Sequence, residues 1–80
     1  MFILYDELFW TDEHGNRKHD CVKTKFESLA EAKAEMEYQF ELRSPGNNST
    51  LLLDRSALII HHDKDDRYDR LIQLAISEEA

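Results

Sequence analysis

The residues best suited to hold a metal ion cluster near the C-terminal end of the sequence. The group consists of His61, His62, Asp63, Asp65, Asp66 and Asp69. Imidazole with carboxylate suits zinc or manganese, and clustered carboxylates suit calcium or magnesium. The spacing fits no metal motif, however, because an EF-type loop would need a ligand at Arg67 and a glycine at Tyr68. On a strand, the two histidines would also point to opposite faces.

We therefore interpret this segment as a solvated turn whose charges protect a sheet edge from aggregation. The alternative hypothesis is a metal-binding regulator, or a small metal-dependent enzyme, that uses His61, His62 and the aspartates. Elemental analysis of the untagged protein separates the two interpretations, because only the alternative predicts stoichiometric metal.

A second set of metal-compatible residues, His14, His19 and Cys21, lies in the first third of the chain. No fourth ligand follows at zinc-finger spacing, so we expect surface histidines beside a half-buried thiol. No nucleophile stands beside an oriented base, and no glycine-rich loop opens a helix. The sequence therefore predicts neither an enzyme nor a bound cofactor or metal.

The single cysteine, Cys21, excludes an intramolecular disulfide and predicts a reducing compartment, the cytoplasm. No apolar run approaches the roughly 18 residues that a bilayer crossing needs, so we expect no membrane association. The length of 80 residues predicts one domain, covering residues 1–80.

The charge balance bears on the class of partner. The chain carries 17 acidic and 10 basic residues, for a formal net charge of −7. Proteins that bind phosphates gain affinity from Lys and Arg, so this balance argues against direct binding of nucleic acid. It favours a basic protein as the partner, and a nucleic-acid-binding protein above all.

Much of the acid falls on one predicted helix. Glu27, Glu31 and Glu35 follow at intervals of four, and Glu37 and Glu41 form a second such pair. At 100° per residue, Tyr38 and Leu42 lie within about 60° of Glu31 and Glu35, opposite the apolar stripe of the helix. An aromatic residue and a leucine bordered by carboxylates are typical of a docking surface for a basic partner. The predicted partner-binding residues are Glu31, Glu35, Tyr38, Glu41, Leu42, Asp63, Asp65 and Asp66.

These observations predict a small acidic protein-interaction module. Its strongest form is an inhibitor that occupies a nucleic-acid-binding groove with carboxylates in place of phosphates. Phages and mobile elements use small acidic domains in this way, as anti-CRISPR or anti-restriction proteins, and the analogy is one of size and charge. The other alternative is a structural homo-oligomer, a homodimer in the simplest case, in which an exposed strand pairs across a two-fold axis.

The elements that position these residues begin with a hairpin. Residues 1–10 are rich in aromatic and branched residues, and Gly15-Asn16 is a turn signal. After the turn, Val22, Thr24 and Phe26 alternate with residues of a more polar set, Cys21, Lys23 and Lys25. That alternation predicts a second strand with one solvent-facing side.

A capping box, Ser28-Leu29-Ala30-Glu31, starts the predicted helix over residues 28–43. Its apolar stripe consists of Leu29, Ala32, Met36 and Phe40. Ser44-Pro45-Gly46 ends the helix, because the residue before a proline is disfavoured in the α region.

The C-terminal third predicts two more strands. The apolar run 57–62 and the segment 67–76 are joined by charged residues 63–67, as in a hairpin, although 67–76 also matches helical spacing. We expect strand, and the sequence leaves open a short extra strand at 50–53. The predicted fold class is α+β, a ββαββ antiparallel sheet with one helix packed on one face.

Overall fold

The protein is described by a computed structural model that covers residues 1–52, 54–61 and 70–79. It contains, in chain order, β1 (Phe2–Thr11), β2 (Arg17–Phe26), α1 (Leu29–Arg43), β3 (Asn48–Leu52), β4 (Ser56–His61) and β5 (Arg70–Glu78). The strands form one antiparallel sheet in the order β2-β1-β5-β4-β3, with α1 packed on one face. The α+β prediction is confirmed, and β3 is the extra strand that the sequence left open.

The first hairpin follows from the chemistry of its turn. Gly15 has a φ of 81°, a left-handed conformation that glycine adopts without strain. The Asp12 carboxylate accepts backbone N–H bonds from Asn16 at 2.8 Å and His14 at 2.9 Å. The hydrogen bond from the Asn16 N–H lowers the pKa of Asp12 below its ordinary value, because it stabilises the ionised carboxylate. The bond from the His14 N–H acts in the same direction. The predicted β1–β2 pairing is confirmed.

The helix begins and ends where the sequence predicts. The Ser28 hydroxyl accepts the N–H of Glu31 at 3.1 Å, which satisfies one of the free donors of the first turn. At the other end, the Ser44 N–H donates to the Phe40 carbonyl at 2.9 Å, directly before Pro45. The N-terminal boundary therefore comes from the local cap at Ser28, and the C-terminal boundary falls where Pro45 follows.

The core lies between α1 and the three central strands. The buried apolar residues are Leu4, Ala32, Met36, Ala57, Ile59, Ile72, Leu74 and Ile76. Ala32 and Met36 come from the predicted helical stripe, and Leu29 and Phe40 pack at its margins. Residues on one side of β1, β4 and β5 meet this stripe because side chains alternate along a strand.

Over residues 70–76, the described part of segment 67–76, the helical alternative is wrong. Residues 70–78 form β5, which pairs with β1 on one side and β4 on the other, so it is the central strand of the sheet. The charged segment 63–67, predicted as the turn between the last two strands, lies outside the described residues.

Strand β2 differs in one respect from the prediction of a single solvent-facing side. Phe26 packs against the core, but Val22 on the same side is 59% exposed. The reason is the position of β2 at the edge of the sheet, where Val22 has a neighbouring strand on one side only. In an edge strand, the alternation of apolar and polar residues therefore predicts more burial of the apolar side chains than the structure has.

Candidate protein-binding surfaces

The outward side of α1 carries the aromatic residue and the leucine singled out by the sequence. Tyr38 is 57% exposed and Leu42 is 61% exposed. They lie one helical turn apart and point away from the side that buries Ala32 and Met36. Exposed apolar side chains of this size on one helix face are candidates for anchors in a protein interface.

Carboxylates border these two residues. Glu31 and Glu41 are exposed, and Glu35 is half-buried and accepts a hydrogen bond from the Gln39 amide at 2.9 Å. Glu27 and Glu37 are exposed as well. We call the outer side of α1, defined by Glu31, Glu35, Tyr38, Glu41 and Leu42, the acidic helix face. The structure brings these five predicted residues together on one surface.

The other three predicted residues, Asp63, Asp65 and Asp66, lie outside the described residues, as do His62, Asp69 and the side chain of His61, so the metal hypothesis stays a prediction. His14 is exposed in the turn, whereas His19 stacks on Phe9 and hydrogen-bonds Glu7 at 3.2 Å. Among the side chains that the structure describes, those of residues 1–52, 54–60 and 70–79, no three of His, Cys, Asp or Glu converge closely enough to bind a metal ion.

The acidic helix face is held in place by an ion pair at the last turn of α1. The Arg43 guanidinium donates to both carboxylate oxygens of Asp6 on β1, one of them at 2.9 Å, and also to the Gln39 amide oxygen at 2.7 Å. The two charged side chains are 30% and 20% exposed. A two-point contact between planar groups fixes orientation as well as distance. Arg43 therefore fixes the C-terminal end of α1 to the sheet.

Breaking this ion pair is expected to loosen the helix end. Arg43→Met and Asp6→Asn should each lower the free energy of unfolding by about 1–2 kcal/mol, because the first leaves the partly buried Asp6 carboxylate without its cation and the second removes the negative charge from the pair. The double variant should lose less free energy of unfolding than the two single variants lose together. Urea denaturation of all three should give a coupling energy of about 1 kcal/mol between the two residues. Lys33→Met, on the same helix, is the control, and its free energy of unfolding should stay within about 0.5 kcal/mol of that of the native chain. Strictly additive losses would show that the pair contributes nothing.

A second surface lies on the side of the sheet that α1 does not cover. Strand register places on this side Ile3, Tyr5, Phe9, Leu58, Ile60 and Leu71. The same side of β2 carries Arg17, Lys23 and Lys25. We call this side of the sheet the open face. Sequence reasoning missed it, because it forms only when β1, β2, β4 and β5 pair.

No helix in the described part of the chain is long and apolar enough to cross a membrane. Comparison with protein-family models, with curated proteins and with solved structures found no match.

Proposed function

We propose that this chain is a small acidic protein-interaction module that inhibits a nucleic-acid-binding protein by occupying its basic groove. It acts by binding and not by catalysis, and we place it in the cytoplasm. The observation that carries the proposal is the acidic helix face, in which exposed Tyr38 and Leu42 are bordered by Glu31, Glu35 and Glu41.

The apolar pair would supply most of the binding energy. Interface hot spots are enriched in aromatic residues that enter a pocket of the partner, surrounded by contacts that exclude water. Tyr38 and Leu42 are the two most exposed large apolar side chains of α1. Their place one turn apart lets them enter one groove together.

The carboxylates would supply selectivity for a basic groove. Glu31 and Glu41 are ten residues apart on α1, so the acids of the face span about 15 Å along the helix at 1.5 Å per residue. Repeated negative charge over such a length resembles the charge of a nucleic-acid backbone, which a basic groove is built to neutralise. The carboxylates would also speed association with a positively charged partner, in a salt-dependent manner.

The test measures inhibition of DNA binding. Purified restriction endonucleases and CRISPR effector complexes are titrated with the chain at about 50 mM salt, and fluorescence anisotropy follows their labelled DNA. We expect competitive displacement of DNA from at least one of them. Glu31→Lys/Glu35→Lys/Glu41→Lys should weaken this inhibition by at least about 100-fold, because attractive charges become repulsive.

The control is a variant with the same change in net charge elsewhere, Glu13→Lys/Glu78→Lys/Glu79→Lys. It should keep most of the inhibition, since all three of its acids lie off the helix. Equal losses in the two triple variants would show that net charge matters and the acidic helix face does not. The proposal also fails if no protein of the panel releases its DNA at low salt.

A further inference from the structure

The open face leaves an apolar surface without a partner in the fold. A sheet with one bare side normally alternates apolar and polar residues so that water meets the polar set. Here the bare side holds Phe9, Leu71 and Ile60 in one cross-strand row with Leu58 beside them on β4, while Glu7 and Gln73 separate this row from Tyr5. Contiguous apolar residues with a polar rim are characteristic of an interaction surface.

The rim of this surface is positively charged, although the chain as a whole is acidic. Arg17, Lys23 and Lys25 lie along β2, and among the described strand residues Glu7 is the only acid on this side. The His19 ring lies within hydrogen-bond distance of Glu7, at 3.2 Å. The open face and the acidic helix face are thus opposite in charge.

The open face also has a concave region. A cleft of about 440 Å³ lies at the end of β1, with Phe9, Ile60 and Leu71 among its lining residues. Its cationic lining residues are Arg17 on the open face and Lys18 and Arg70, which the strand register places on the α1 side, so the cleft opens at the end of the sheet. An apolar floor with cationic walls fits an apolar side chain that carries carboxylates beside it.

We propose that the open face binds the acidic helix face of a second copy of this chain, so that copies associate head to tail. The chain itself supplies the required chemistry, because Tyr38 and Leu42 protrude from a helix rimmed by glutamates. Packing a helix on this side of the sheet would repeat what α1 does on the other side and cover both faces of the sheet.

The spacing of the cations on β2 is compatible with the spacing of the glutamates on α1. Arg17 and Lys23 are six residues apart on β2, about 20 Å at 3.3 Å per residue. Glu31 and Glu41 are ten residues apart on α1, about 15 Å at 1.5 Å per residue. With Tyr38 in the cleft near Phe9, one glutamate lies toward each of these cations, within reach of flexible side chains.

A nucleic-acid strand fits the open face less well, despite its aromatic and basic residues. The Phe9 ring stacks on His19 with centroids 4.5 Å apart, and Lys23 Nζ lies 5.6 Å from the centroid of the Tyr5 ring. A ring stacked on a neighbouring strand presents its edge away from the sheet. Base stacking needs the flat face instead.

Pairing of two open faces is also disfavoured. It would place the cations of both β2 strands in one interface, with Glu7 as the only described acid on each side. Like charges in contact oppose association, whereas the helix of a second copy brings opposite charges.

The test compares two charge-reversed variants by sedimentation velocity at about 50 mM salt. The native chain should self-associate as its concentration rises, and about 500 mM salt should weaken this self-association. Arg17→Glu/Lys23→Glu and Glu31→Lys/Glu41→Lys should each raise the dissociation constant at least about tenfold. An equimolar mixture of the two should associate again, and so should the variant with all four changes, because both restore opposite charges.

Net charge cannot mimic this pattern. Glu31→Lys/Glu41→Lys changes the net charge from −7 to −3, since two acids become bases. If general repulsion between copies were the only effect, this variant would associate more strongly than the native chain. The variant with all four changes keeps −7. Circular dichroism spectra that match the native chain verify folding of each variant.

Three outcomes would overturn the proposal. The first is a native chain that stays monomeric up to about 1 mM at low salt. The second is association that the Glu31→Lys/Glu41→Lys variant leaves intact, which would mean pairing of two open faces. The third is binding of a labelled single-stranded oligonucleotide that Arg17→Glu/Lys23→Glu abolishes, without self-association.

This inference uses the same helix face as the proposed function but does not depend on it. A monomeric native chain would leave the DNA-displacement result unchanged, and a chain that displaces no DNA could still self-associate. If both hold, a basic partner should dissociate the assembly, because the two compete for Tyr38 and Leu42.

Discussion

Leu74→Ala is expected to lower the free energy of unfolding by about 2–5 kcal/mol, the range for removing a buried leucine from a packed core. Leu74 is 0% exposed and lies on β5, the central strand, with Asp6 and Ala57 as its cross-strand neighbours. Ala57 is too small to fill the space left behind, so a cavity should remain. A domain of 80 residues has a total stability of only about 4–12 kcal/mol, so this loss is a large fraction of it.

Urea denaturation followed by circular dichroism measures the effect, with an unchanged slope showing that the transition remains two-state. Thr50→Ala is the control, because this exposed residue lies on the edge strand β3 and outside the core. It should stay within about 0.5 kcal/mol. A Leu74→Ala loss below about 1 kcal/mol would show that β5 is not the central buried strand.

Those parts of the fold that rest on local chemistry could be predicted from the sequence. Ser28 and Glu31 mark the start of α1, and Gly15-Asn16 marks the first hairpin, because caps and turns depend on a few adjacent residues. The acidic helix face follows directly from the helical period once the helix is fixed. Its residues were therefore found without knowledge of the tertiary structure.

The order of the strands depends on distant pairing, and local patterns do not contain it. Residues 70–78 satisfy both a period of 2 and a helical period, and what decides between them is hydrogen bonding to β1 and β4 on either side. The same cause hid the exposure of Val22, since only the sheet order reveals that β2 is an edge strand.

The open face was missed for a related reason. Lys23 and Lys25 lie far in sequence from their β1 neighbours Tyr5 and Ile3, and only the β1–β2 register pairs them. A net charge of −7 conceals this surface, because the acids outnumber these cations in any overall count. Charge must be assigned to surfaces before it indicates a partner.

Tyr38→Ala/Leu42→Ala is expected to separate binding from stability. Both side chains are more than half exposed, so their removal should change the free energy of unfolding by no more than about 0.5 kcal/mol. As anchors of the acidic helix face, they should contribute about 2 kcal/mol or more to an interface, which is about a 30-fold rise in the dissociation constant. Urea denaturation measures the first quantity, and sedimentation and DNA displacement measure the second.

Val22→Ala is the matched control for this double variant. Val22 is an apolar residue that is 59% exposed, close to the 61% of Leu42. It lies on the side of the sheet away from the open face. It should preserve both stability and binding, because neither proposed interface includes it. A stability loss of about 2 kcal/mol in the double variant would mean that Tyr38 or Leu42 belongs to the fold, and unchanged association and inhibition would remove both residues from the interface. Only a stable double variant that no longer binds assigns these side chains to a partner.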